Sequence, residues 1–103
     1  MEVIFHSHNA VISERLRSRA EASVRKLGAR APRPVRATVR FEQDGPTRRV
    51  EIVMHPSRRA PLVSNGYART FGPALSEAVH NLEAQLAHVK RTPKTAARAI
   101  SHP

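Results

Sequence analysis

The chain has 103 residues, the size of one domain built on one hydrophobic core with no room for a second. Apolar residues at 40% and charged residues at 25% are ordinary for a globular protein and argue against global disorder. Eighteen Lys and Arg against eight Asp and Glu give +10 at neutral pH, which favours a polyanionic partner, and apolar stretches only a few residues long exclude a membrane span.

Glu2–His6 (EVIFH) is rich in β-formers and reads as a buried strand. Ser13 is an N-cap, followed by Glu14 in the first turn, where the helix dipole favours negative charge. The helix runs from about Glu14 to Leu27: Leu16, Ala20, Val24 and Leu27 fall on one face, and Gly28 supplies the stop. Ala29–Pro34 (ARAPRP) cannot continue a helix and is a loop. In Val35–Phe41 the residues Val35, Ala37, Val39 and Phe41 alternate with Arg36, Thr38 and Arg40, a strand with arginines on its polar face. Asp44, Gly45 and Pro46 are turn chemistry, and Arg48–His55 alternates again through Val50, Ile52 and Met54, so the two runs form a hairpin. After a Pro56–Pro61 loop, Leu62–Ser64 is a weaker, fourth strand. Pro73 suits the first turn of a second helix, whose stripe is Leu75, Val79, Leu82, Leu86 and Val89 with Ala78 beside it. From Thr92 prolines and small residues replace the periodicity, predicting a domain over 1–91 and a flexible basic tail over 92–103. The order β-α-β-β-β-α, with one apolar face per helix, predicts an α+β two-layer sandwich: a four-stranded, mostly antiparallel sheet with both helices on one face.

Three basic groups stand out. Arg15, Arg19 and Lys26 share one flank of the first helix, with Arg30 just beyond its end; no acid interleaves them, so the stripe is costly unless an anion neutralises it. Arg36, Arg40, Arg48 and Arg49 lie on the hairpin, joined by Arg58 and Arg59 in the following loop; Glu42 and Glu51 offer cross-strand partners, and ion pairing is as good an account of the hairpin arginines as RNA contact. Arg58 and Arg59, away from acids, are the first choice for RNA. His88, Lys90, Arg91 and Lys94 form the third group, more charge than capping of a helix C-terminus requires. Arg greatly outnumbers Lys, and its planar guanidinium binds phosphate through two parallel hydrogen bonds. Such contacts give affinity without sequence information, so recognition would rest on the shape of folded RNA, with Tyr67 the one aromatic available for stacking.

Ile12, Ser13, Leu16 and Arg17, then Val24, Lys26 and Leu27, then Leu82, Glu83, Gln85, Leu86 and Lys90 resemble, in order and spacing, the ribosome hibernation-promoting factor and ribosome-associated inhibitor family over roughly residues 2–91. The resemblance implies a protein of the cytoplasm that binds small-subunit rRNA in the decoding channel, blocks the mRNA and tRNA sites, and idles or protects ribosomes under stress. Asn81 stands where that family usually has a lysine, Ala84 and Ala87 thin the basic face, and acidic and aromatic residues are missing around Arg69–Pro73, which implies that some rRNA contacts are lost or moved. The chain resembles the short form, without the C-terminal dimerisation domain, and is expected to be monomeric off the ribosome.

Catalysis has no support: Ser, His and Asp occur without a nucleophile-elbow or triad-like context, and Gly is too scarce for a phosphate-cradling loop. An acylphosphatase-like enzyme would need an Arg and an Asn placed together in a loop that the sequence does not identify. His6 and His8 share one side of an extended segment, but two imidazoles without a carboxylate or cysteine make a poor metal site, and no metal, cofactor or small-molecule substrate is expected. The absence of cysteine fits a reducing compartment. Two alternatives remain: a generic double-stranded RNA module, whose element order overlaps this one without the first strand, and a basic adaptor binding an acidic protein, which RNase treatment would separate from RNA binding.

Overall fold

A computed structural model describes the backbone of residues 1–31 and 33–100, and the side chains of those residues apart from 35 and 89–100. The elements are β1 (Glu2–His8), α1 (Glu14–Gly28), β2 (Pro34–Asp44), β3 (Thr47–Pro56), β4 (Leu62–Ala68) and α2 (Phe71–Ile100). The sheet order is β1-β2-β3-β4, with β1 parallel to β2 and the other neighbours antiparallel. This is the predicted two-layer α+β sandwich.

The hairpin forms because alternation in β2 and β3 places Ala37, Val39 and Phe41 opposite Met54, Ile52 and Val50 on one face, all six essentially inaccessible to solvent. Both helices cover that face, through Ala20, Val24 and Leu27 of α1 and Ala74, Leu75, Ala78, Leu82 and Leu86 of α2. Phe41 meets Phe71 edge-on at 5.6 Å, fixing the start of α2 over the hairpin. The inward placement expected for Val35 and the stripe position at Val89 lie outside the described side chains. So do all the side chains of the expected tail over 92–103, where the helical backbone runs to Ile100.

Several local expectations are corrected. β1 is a half-buried edge strand and not a buried one, because α1 covers only its Val3 and Phe5 side and nothing pairs beyond it. Ser13 does cap α1, its hydroxyl accepting from the Leu16 N–H at 3.1 Å. Gly28, however, is the last helical residue, and the cap is Ala29 in a right-handed conformation, so the helix stops without a left-handed glycine. β4 runs to Ala68, four residues past Ser64. Gly66 is what lets α2 lie this close: a Cβ there would come within 1.9 Å of the Ala74 carbonyl oxygen and 2.6 Å of the Ala78 nitrogen.

β1 ends at His8 opposite Glu42, and β4 ends at Ala68 opposite Arg48, both beside the Gly45–Pro46 turn. Both helices therefore start at the turn end of the sheet and run side by side towards the opposite pole. The face of the sheet away from the helices is left open.

Candidate nucleic-acid interface

The eight acids sort the fourteen cations whose side chains are described. On α1, Glu14 pairs with Arg17 at 3.4 Å and Glu21 with Arg25 at 3.0 Å, both on the flank towards β1. On the open sheet face Arg49 takes two of the three hairpin acids, Glu51 at 2.8 Å and Glu42 at 3.5 Å, and its Nε donates to Asn65 at 3.0 Å. Glu83 pairs with Arg30 at 2.9 Å, and Glu77 accepts from the Tyr67 backbone N–H. Acids consumed by these contacts cannot neutralise anything else. Arg15, Arg19, Lys26, Arg33, Arg36, Arg40, Arg48, Arg58, Arg59 and Arg69 have no ion-pair partner among the described residues.

Eight of these ten bare cations, all but Arg48 and Arg69, occupy three regions. The first is the seam between the helices. Arg15, Arg19 and Lys26 lie on the α1 flank facing α2, where Arg19 donates to the Ser76 hydroxyl at 2.5 Å and Arg30, one end of the same flank, is held by Glu83. His80 is exposed on the α2 side of the seam, whereas the exposed His88, seven residues on from Asn81, lies on the α2 flank towards β4. The expected stripe is thus present, with Arg30 neutralised inside the molecule and Arg15 and Lys26 fully presented to solvent. Lys90, Arg91 and Lys94 lie outside the described side chains.

The second region is the open sheet face. Strand alternation splits the hairpin cluster that composition alone would group together. Arg36, Arg40 and Arg49 share the open face, in cross-strand rows that also hold His6, Glu51 and Asn65 around Arg40, and His8, Glu42 and Tyr67 around Arg49. Arg48 points the other way, into a depression beside Asn9, Gln43, Thr70 and Phe71. With Arg49 saturated by two carboxylates, Arg40 and Arg36 are the open-face hairpin cations left for a ligand, and Tyr67, 54% exposed, is the aromatic on that face, beside Arg49.

The third region is the pole opposite the hairpin turn. The Ala29–Pro34 loop and the β3–β4 loop meet there: the Ser57 N–H donates to the Arg33 carbonyl at 2.9 Å, and Pro34 faces Pro56 in the sheet register. Arg33, Arg58 and Arg59 are exposed on these loops, and Arg36 begins the adjoining strand. Arg33 (φ 48°) and Arg58 (φ 62°) both adopt the left-handed conformation that costs a side-chain-bearing residue about 1 kcal/mol. Strain of this kind persists where surrounding structure imposes it, often at binding sites. Arg33 was missed in the sequence because a Pro-Arg-Pro loop shows no partner loop; its flanking prolines were the available signal.

The bare cations are guanidinium and ammonium groups spread over the helix seam, the opposite open sheet face and the loop pole, which suits many weak phosphate contacts on a large, shaped polyanion.

Comparison with known proteins places the fold. A structure of a ribosomal subunit interface protein from Coxiella burnetii superimposes with a TM-score of 0.77 at 15% identity, covering 87% of this chain and 98% of that one. The Protein Y N-terminal domain of Thermus thermophilus superimposes with a TM-score of 0.72 at 22% identity, covering 84% and 96%. No curated protein matches the chain. At these identities the solved structures establish the fold alone. The family comes from the sequence, where the resemblance carried by the two helices is borne out: residues 3–94 match the model of the sigma 54 modulation protein / S30EA ribosomal protein family, and the chain belongs to that family.

Proposed function

We propose that this protein binds small-subunit rRNA in the decoding channel without catalysis, and by occupying the mRNA and tRNA sites idles or protects ribosomes under stress. The observation that carries the reading is the internal consumption of the acids: Glu14, Glu21, Glu42, Glu51 and Glu83 pair with only Arg17, Arg25, Arg30 and Arg49, which leaves Arg15, Arg19, Arg33, Arg36, Arg40, Arg58 and Arg59 without an ion-pair partner among the described residues. Uncompensated cations on one small domain repel one another, and a folded polyanion relieves that repulsion while releasing its counterions. Family membership and the structural relatives, a ribosomal subunit interface protein and Protein Y, support the ribosome as that polyanion. The mechanism is steric. The protein acts in the cytoplasm as a monomer until it meets the subunit, and among the described residues no helix is long and apolar enough to cross a membrane.

Hydroxyl-radical footprinting of small subunits tests the placement. Protection of rRNA lining the mRNA path, lost when mRNA is bound first, is the expected result. Protection confined to the outer surface of the subunit would overturn it.

A further inference from the structure

The sheet has two edges, and the chain treats them differently. Along β4, three α2 side chains one turn apart reach the outward backbone of alternate strand residues. Glu77 accepts from the Tyr67 N–H at 2.9 Å, Asn81 donates to the Asn65 carbonyl at 2.9 Å, and Gln85 donates to the Val63 carbonyl at 2.7 Å. Periods of four on the helix and two on the strand keep the three contacts in step. An edge whose backbone groups are taken in this way resists pairing with another strand.

β1 has no such cover. Among the described residues no side chain hydrogen-bonds the backbone between Glu2 and His8, the nearest being Arg25 on the Met1 carbonyl. The strand is seven residues long and contains none of the Pro, Gly or Lys that blunt an exposed edge. Because β1 pairs on one side only, alternate N–H and C=O groups point away from the sheet. Beside its second half lies a depression of about 360 Å³ bordered by Phe5, Ala10, Val11, Ile12 and Phe41, with Arg17 on its rim. Val11 stands 98% exposed at its mouth.

We propose that the β1 edge docks an extended, acidic segment of a protein partner, which adds a fifth strand and places one apolar side chain in this depression. Main-chain pairing supplies affinity and the depression supplies selectivity, the division of labour in strand addition. Charge selects the occupant. Arg36 and Arg40, one strand in from this edge, lie opposite Glu2 and His6 and have no ion-pair partner among the described residues, so acidic side chains on the open-face side of an added strand meet positive charge. A second copy would instead bring its own Arg36 and Arg40 to the same seam. RNA offers no alternating donors and acceptors at strand spacing. A segment with Asp or Glu flanking an apolar residue satisfies both the ladder and the field. The proposal does not rest on rRNA binding: β1 would bind such a segment whether or not the helix seam and loop pole hold RNA.

A random dodecapeptide phage library panned against the full-length protein tests it, with amide chemical shifts of the labelled protein mapping the site of a recovered peptide. The expected outcome is a consensus of alternating apolar and acidic residues that shifts the amides of residues 3–12, with at least tenfold weaker binding to Val11→Asp. That exposed position can change without touching the core. Failure to enrich a consensus, or shifts confined to α1 and α2, would overturn the proposal. So would a concentration-dependent dimer joined through β1, which would assign the edge to a second copy.

Discussion

The N–H of Ser57 donates to the carbonyl of Arg33 at 2.9 Å, and this one bond ties together two loops that are 24 positions apart along the chain. Each loop holds an arginine in the left-handed region, Arg33 on one and Arg58 on the other. The pairing turns two ordinary-looking loops into one positively charged pole, with Arg59 beside it.

The pole is expected to carry phosphate contacts. The triple change of Arg33, Arg58 and Arg59 to Ala should lower the slope of log K against log salt by roughly 2, at about 0.7 to 0.9 per contact. Filter binding to small-subunit rRNA over a salt series measures it, and an unchanged slope would remove the pole from the interface.

Strain and binding should separate at Arg58. Arg58→Gly accepts φ 62° without a Cβ penalty, offset in part by the greater freedom of glycine in the unfolded chain, so stability should hold or rise by up to about 1 kcal/mol while RNA affinity falls. Urea melts alongside binding curves read both quantities. A loss of stability larger than about 1 kcal/mol would mean that the Arg58 side chain holds the loop.

Arg49 and Arg40 should behave oppositely although they share a face. Arg49→Ala leaves Glu42 and Glu51 facing each other's charge at partly buried positions, a cost of about 1 to 2 kcal/mol in stability with little effect on RNA. Arg40→Ala removes no ion pair and should weaken RNA binding with the melting temperature nearly unchanged. Equal effects of the two substitutions on RNA would refute the division.

Gly66 is a packing requirement. Gly66→Ala forces a methyl group into the α2 backbone at Ala74 and Ala78, and no side chain is available to move aside. The expected loss is about 3 kcal/mol, or roughly 12 °C or more in melting temperature for a domain of this size. Calorimetry showing a shift under about 4 °C would mean that α2 lies further from β4 than described.

Much of this was legible in the chain. Alternation through Val39, Phe41, Val50 and Ile52 announces the hairpin, and the Leu75 and Leu82 stripe announces α2, because periodicity is local information. The second half of β4 was not legible, since Asn65 and Gly66 are poor strand formers whose place is explained only by α2 lying against them. Asn81, which breaks the expected basic pattern, makes sense once it is seen donating to the Asn65 carbonyl. Which arginines are bare was likewise hidden: the cross-strand register sets Arg49 opposite Glu42 and Arg40 opposite Glu51, yet Glu51 pairs with Arg49 two residues along its own strand and leaves Arg40 bare. Arg33 escaped notice because loops that meet in space leave no mark on either loop's own sequence.

Co-sedimentation with purified ribosomal subunits across a salt series, with and without RNase treatment, tests the central claim most directly. The account predicts pelleting with the small subunit that falls by on the order of a thousandfold in affinity between about 50 and 200 mM salt, and that disappears after RNase treatment. Absence of small-subunit association at every salt concentration, or association that survives removal of the RNA, would contradict it.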